Sequence, residues 1–276
     1  MIKLNTLTNG ELVNVDFSAW NFPAGEFGVK LPKVASDDMG FCITWHYEND
    51  AEFMQVANIV NAIRKTYTHH AMIDLLVPYL PYARQDRVCH EGEAFGLKVF
   101  ANLLNSLNLD NVVSFDVHSE IAKSVINNFT NIDQFICARD LPKYDFVIAP
   151  DAGAAKKINQ LSQVNDIENP TQVITLEKHR FNGKVSHILP KYLPDIVGKK
   201  VCVVDDICDG GATFISVGNL FKELMFKPAK LDLYVTHGIF SKGTDELLKI
   251  YDTIYTCNLM NKSAAESVTR LIMMGD

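Results

Sequence analysis

Val201-Cys-Val-Val-Asp-Asp-Ile-Cys-Asp-Gly-Gly-Ala-Thr213 is the stretch that decides the fold. Four apolar residues in a row, Val201 to Val204, predict a strand buried on both faces, as in a parallel sheet. The residues that follow, Phe214 to Phe226, carry Phe214, Val217, Leu220, Phe221 and Leu224 on one helical face. Asp205 and Asp206 therefore fall at the carboxyl end of a buried strand, where open α/β sheets bind their ligands. In the loop from Asp209 to Thr213, Gly210 and Gly211 allow backbone N–H groups to approach an anion, and the dipole of the helix favours negative charge there. Carboxylates beside such a cradle suit a sugar phosphate. Asp205 and Asp206 would take hydroxyls or a magnesium ion, and Asp209, Gly210, Gly211, Ala212 and Thr213 would take the phosphate. Taken alone, the same residues would also serve a tight strand-to-helix turn with solvated acids.

Working outward, short apolar runs recur at Phe41–Trp45, Met72–Val77, Val112–Phe115, Phe146–Ala149, Val173–Leu176, Leu231–Val235 and Thr253–Tyr255. Between them lie helical periods, such as Leu97, Phe100, Ala101, Leu104 and Leu107 within Glu93–Asn108. This alternation predicts an α/β fold with mainly parallel sheets. The length of 276 residues predicts about two domains. The apolar pattern breaks at Ala138–Lys143, which gives expected domains of residues 1–140 and 141–276. A strand end followed by an acid and small residues occurs at both Ser114–His118 and Ala149–Gly153, in keeping with two related halves.

The apolar fraction is 47%, the charged fraction 21% and the net charge −7, which excludes a disordered or fibrous chain and a basic nucleic-acid-coating protein. An acidic envelope still permits a basic pocket for small phosphates. Six cysteines without a C-x-x-C pair argue against a disulfide framework or zinc site and for reduced thiols in the cytoplasm. Neither a signal peptide nor a membrane span is expected. The sequence also lacks the P-loop and dinucleotide-binding glycine patterns.

Further motifs narrow the reading. Pro78-Tyr-Leu-Pro-Tyr-Ala-Arg-Gln-Asp-Arg87, Phe22-Pro-Ala-Gly-Glu26, Phe115-Asp-Val-His118, Pro150-Asp-Ala-Gly153 and Thr236-His-Gly-Ile-Phe-Ser241 occur in the chain. Together with Val201–Thr213 the chain resembles the ribose-phosphate pyrophosphokinases (PRPP synthetases) over about residues 20–241. The resemblance implies two tandem phosphoribosyltransferase-like (Rossmann-like) domains. It implies ATP contacts from Phe22, Ala24, Gly25, Glu26, Arg84 and Gln85. It implies Mg2+ placed by His118 and Asp151, of which the carboxylate is the ordinary magnesium ligand. Lys178 and Arg180 match the catalytic Lys and Arg of the family. They alternate onto one side of an extended segment, and Phe181–Val185 reads as a flexible excursion, so the two cations suit a lid over a polyphosphate. A solvated basic hairpin is the plain alternative.

Three residues depart from the family pattern. Ala24 stands for the usual Asp of the nucleotide loop, Gly210 for the usual Thr of the ribose-phosphate loop, and Ala212 for a Gly. The expected reaction moves the β,γ-diphosphoryl group of Mg-ATP to the 1-hydroxyl of ribose 5-phosphate, giving PRPP and AMP. The alternatives are the same reaction on a larger 5-substituted ribose such as ADP-ribose, a phosphoribosyltransferase, or a non-catalytic regulatory subunit. The expected partners are ATP, a ribose 5-phosphate-type acceptor and further copies of the chain in a dimer-based oligomer of up to six. Nucleic acid and membrane are not expected partners.

Overall fold

A computed structural model describes residues 1–8, 11–32, 40–67, 71–164, 171–181, 184–223 and 227–271. The chain divides into two units, Met1–Ile132 and Asp133–Asp276.

The first unit contains β1 (Ile2–Thr8), β2 (Glu11–Asn14), β3 (Ser18–Asn21), β4 (Phe27–Lys30), β5 (Gly40–Trp45), α1 (Ala51–Thr66), β6 (Met72–Leu76), α2 (Gly96–Asn105), β7 (Asn111–Phe115), α3 (Ala122–Val125) and β8 (Phe129–Ile132). Its main sheet has the order β2-β1-β5-β6-β7-β8. Strands β5 to β8 run parallel, and β1 joins β5 antiparallel. In α1, Val56, Ile59, Val60 and Ile63 are buried, the spacing of one apolar stripe against a sheet.

Helix α2 is shorter than the expected Glu93–Asn108. Glu93 turns its carboxylate back to accept from the N–H groups of Cys89 and His90 at 2.9 and 3.1 Å, which holds its segment in a turn. At the other end Asn108 adopts φ +48°, a left-handed conformation that stops a helix. Strands β1 to β4 and β8 carry no strong apolar run, so the local sequence does not mark them as strands. β2 and β3 are exposed along their length.

The second unit contains α4 (Gln134–Cys137), β9 (Phe146–Ala149), α5 (Ala152–Val164), β10 (Gln172–Thr175), β11 (Glu177–Phe181), β12 (Lys184–Ile188), β13 (Lys200–Cys208), α6 (Ala212–Glu223), β14 (Lys230–Gly238), α7 (Asp245–Leu248), β15 (Ile254–Leu259) and β16 (Thr269–Arg270). Its main sheet, β10-β9-β13-β14-β15-β16, is parallel at every pairing. The division between the units falls ahead of Ala138–Lys143 because α4 packs on α5. In addition, the Cys257 thiol donates to Cys137 O at 2.7 Å.

Strand β13 runs on to Cys208, past the expected end at Val204, because its ladder with β14 continues to Cys208–Gly238. Asp205 and Asp206 thus lie inside the strand and point to opposite faces. Phe214, Val217 and Phe221 of α6 are buried as expected, while Leu224 lies outside the described residues. Of the expected excursion Phe181–Val185, the described residues Phe181, Lys184 and Val185 lie in an antiparallel ladder of β11 and β12 running from Glu177–Ile188 to Phe181–Lys184. Residues 182 and 183 lie outside the described residues. Among the described residues no helix is long and apolar enough to cross a membrane.

Candidate active site

Because β10, β9, β13 and β14 are neighbours and parallel, their carboxyl ends share one edge of the second unit. Asp151 follows β9 and Lys178 follows β10, Asp205 lies near the carboxyl end of β13, and Ser241 and Lys242 follow β14. Lys178 Nζ donates to Asp151 Oδ2 at 3.1 Å. Burial alone would raise the Asp151 carboxyl, but the N–H of Ala154, the Lys178 ammonium and the N–H of Gly153 together hold it below the usual carboxylate range. Asp151 is therefore an ionised oxygen donor at neutral pH.

Asp205 has the opposite tendency. It is recessed, and burial first and the neighbouring Asp206 carboxylate second push it well above the usual range. The N–H of Asp206 donates to Asp205 Oδ1 at 2.9 Å. On the other face of the strand, Lys157 of α5 donates to Asp206 Oδ2 at 2.8 Å. Asp205 faces the Asp151–Lys178 pair, whereas Asp206 is held by a helix lysine. The sequence reading missed Lys157, since only tertiary packing brings α5 beside β13.

His187 was missed as well. It stands opposite Lys178 in the β11–β12 ladder, 7% exposed, with Nδ1 2.9 Å from Ser216 Oγ and, among the described residues, no partner for Nε2. Burial, and then the Lys178 ammonium, lower its pKa to about 4, so the imidazole is neutral. The backbone of Arg180 pairs with Val185, and its side chain lies outside the described residues.

The loop after β13 is clamped by the loop after β14. Ile239 and Phe240 donate their N–H groups to Cys208 O at 2.9 and 3.0 Å, and Ser241 Oγ donates to Asp209 Oδ1 at 2.6 Å. Gly211 has φ +79°, a conformation that strongly favours glycine. The N–H of Ile215 bonds Gly211 O at 2.9 Å, starting α6. The N–H groups of its first turn have no intrahelical partner and are suited to an anion.

In the first unit, Arg84 and Gln85 lie exposed on a turn after β6. The turn is anchored by Tyr82, at φ +63°, whose hydroxyl donates to Asp50 Oδ2 at 2.7 Å and whose ring stacks on Phe100. Asp86 is buried and accepts from Ser119 Oγ at 2.7 Å. This ties the Arg84 turn to the loop after β7 that carries the exposed His118. Gln85 packs against the start of α2, where a Cβ on Gly96 would come within 2.3 Å of its Oε1. Phe22, Ala24, Gly25 and Glu26 form the exposed tip of the β3–β4 hairpin, closed by Phe22 N–H to Glu26 O at 2.8 Å.

Two family models cover most of the chain. The N-terminal domain of ribose phosphate pyrophosphokinase matches residues 7–107, and the phosphoribosyl transferase domain matches residues 116–270. The chain belongs to the ribose-phosphate pyrophosphokinase family. It is similar to the ribose-phosphate pyrophosphokinase of Pyrococcus abyssi, 28% identical over 86% of this chain and 81% of that protein. Its similarity to the Thermosipho africanus protein of the same name is 28% over 93% of this chain and 84% of the other. Its fold is like that of the phosphoribosylpyrophosphate synthetase of Mycobacterium smegmatis, with a TM-score of 0.70 at 19% identity over 93% of this chain and 86% of that chain. The expected fold of two α/β halves with phosphoribosyltransferase-like sheets is the one this family shares.

As for magnesium, Asp151 supplies an ionised oxygen donor, the type that ion takes, and Asp205 lies on the same side of β13. Among the described residues no group of three or more His, Cys, Asp or Glu is arranged as a metal cluster. His118 belongs to the first unit and Asp151 to the second.

Proposed function

We propose that the protein transfers the β,γ-diphosphoryl group of Mg-ATP to the 1-hydroxyl of a ribose 5-phosphate acceptor. The observation that carries this is the gathering of Asp151, Lys178 and Asp205 at one sheet edge beside the glycine loop that opens α6. In this reading the new bond joins the acceptor's O1 to the β-phosphorus. The bond between the β-phosphorus and the oxygen bridging to the α-phosphorus breaks, AMP leaves, and the hydroxyl proton passes to solvent. Magnesium, when bound, would neutralise phosphate charge through Asp151, with His118 as the second candidate.

The remaining steps belong to the chain's own residues. Phe22, Ala24, Gly25, Glu26, Arg84 and Gln85 of the first unit hold ATP. Asp205 orients the ribose hydroxyls; Asp206, expected to share that role, lies on the opposite face of β13 paired with Lys157 and supports the strand instead. Asp209, Gly210, Gly211, Ala212 and Thr213 hold the 5-phosphate. Lys178 and Arg180 stabilise charge developing on the transferred phosphoryl group. Such catalysis is positioning plus electrostatics, with no covalent intermediate on the enzyme. In this reading the first unit is the nucleotide domain and the second the acceptor domain. The enzyme works in the cytoplasm as a homo-oligomer.

A second acceptor is favoured by one observation. Gly210 stands where the family usually has threonine, which removes a hydroxyl donor from the phosphate loop and suits a 5-phosphate carrying a further group, as in ADP-ribose. The deciding experiment measures AMP formed from ATP with ribose 5-phosphate, with ADP-ribose and with neither, and follows the product by phosphorus NMR. A new 1-diphosphate signal with either acceptor supports the transfer and names the acceptor. ATP left intact with both overturns it.

A further inference from the structure

Gly210 and Lys242 meet at the flank of the loop. A Cβ on Gly210 would lie 3.4 Å from Lys242 Cε and 3.5 Å from its Cδ, so the lysine stem runs where a side chain at 210 would begin. The clamp described above produces this contact. With Ile239 and Phe240 bonded to Cys208 O and Ser241 bonded to Asp209, the next residue is carried over Gly210. Phe240 is fully buried at φ +43°, and a Cβ on Gly238 would meet its ring at 2.2 Å. The chain's return is thus fixed by packing. Lys242 itself is exposed, and among the described residues its ammonium pairs with no carboxylate.

The charges around the loop call for such a group. Asp209 lies in the cradle and Asp205 and Asp206 just before it, so a phosphate dianion held there is favoured by a nearby cation. Asp206 is offset by Lys157 and Asp151 by Lys178. The loop's backbone N–H groups and helix dipole supply only partial charge.

We propose that Lys242 is a phosphate-reading residue of the Asp209–Thr213 loop, its ammonium taking the acceptor's 5-phosphoryl group on the side where Gly210 offers no hydroxyl. This rests on reading the loop as the acceptor site. The terminal phosphate of ribose 5-phosphate and the inner phosphate of a ribosyl diphosphate ester present the same oxygens to Lys242, so both are arms of the test. A four-carbon stem over a glycine follows either one.

The test variant is Lys242→Met, which keeps the stem and removes the charge. AMP release is measured at saturating ATP with varied ribose 5-phosphate and, separately, ADP-ribose. For the acceptor the wild type uses, KM rises about 10- to 100-fold, the effect of losing a charge-assisted hydrogen bond. The KM for ATP stays within about threefold, since the lost contact is to the acceptor alone. Lys242→Arg recovers most of the loss, and Gly210→Thr placed on Lys242→Met recovers part of it through the hydroxyl. An acceptor KM unchanged in Lys242→Met, or an equal rise for ATP, overturns the assignment. Calorimetric titration of ribose 5-phosphate and ADP-ribose into both proteins separates this from the function itself. Weaker binding in Lys242→Met upholds Lys242 even without turnover, equal binding overturns it, and no binding to the wild type overturns the acceptor site as well.

Discussion

Lys178 and His187 stand opposite each other across the β11–β12 ladder, and the same lysine reaches Asp151 at 3.1 Å. One hairpin strand thus carries a cation pinned to the carboxyl edge of the sheet. Its partner strand carries a buried neutral imidazole that fits beside the cation only while uncharged.

Lys178→Ala is expected to lower kcat by about 100-fold or more, because its charge acts where negative charge develops on the transferred group. The KM for ATP stays within about threefold, since the contact strengthens mainly in the transition state. Steady-state kinetics decide the matter: a raised KM with unchanged kcat would make Lys178 a binding residue only.

His187→Gln is expected to flatten the acid limb of the stability curve. The folded imidazole titrates near about 4 and the unfolded one near 6.5. Between these values the unfolded chain binds more protons, and stability rises with pH. Asp151, held low in the folded state, adds to the loss further into acid. Melting temperatures from pH 4 to 7 should climb steeply in the wild type and less steeply in the variant, which can keep the bond to Ser216. Equal slopes would show that His187 is not the titrating group.

Asp205→Asn is expected to weaken acceptor binding about tenfold while leaving ATP binding nearly unchanged. It also removes a carboxyl crowded by Asp206, so the melting temperature should rise, the common trade between function and stability. Calorimetric titration of each ligand and a thermal scan test both halves. Equal losses for the two ligands would move Asp205 to a structural or metal-holding role.

Tyr144→Phe probes the core of the second unit. The Tyr144 hydroxyl donates to Asp232 Oδ2 at 2.6 Å, Lys230 pairs with that oxygen at 2.7 Å, and among the described residues the buried Oδ1 has no partner. Removing the hydroxyl should destabilise the fold by about 1–3 kcal/mol, read as a lower urea midpoint at unchanged slope. A neutral result would mean that Lys230 alone satisfies the carboxylate.

Local sequence determined the parallel-sheet architecture. Phe146–Ala149 and Val201–Val204 are apolar enough to be strands only in a sheet covered on both faces, and the acids and glycines after them mark the edge where ligands bind. Boundaries set by hydrogen bonding between strands were not readable in this way. β13 extends through Asp205 and Asp206 because β14 continues beside it, and the half-polar run Glu177–Ile188 becomes a hairpin because its two strands pair with each other. The pairings of Asp206 with Lys157, His187 with Ser216 and Gly210 with Lys242 join residues 49, 29 and 32 positions apart. No local period or motif encodes such contacts. They exist because parallel strands need crossovers that return each carboxyl end to the same edge, so the sequence named the loops and the tertiary structure chose their neighbours.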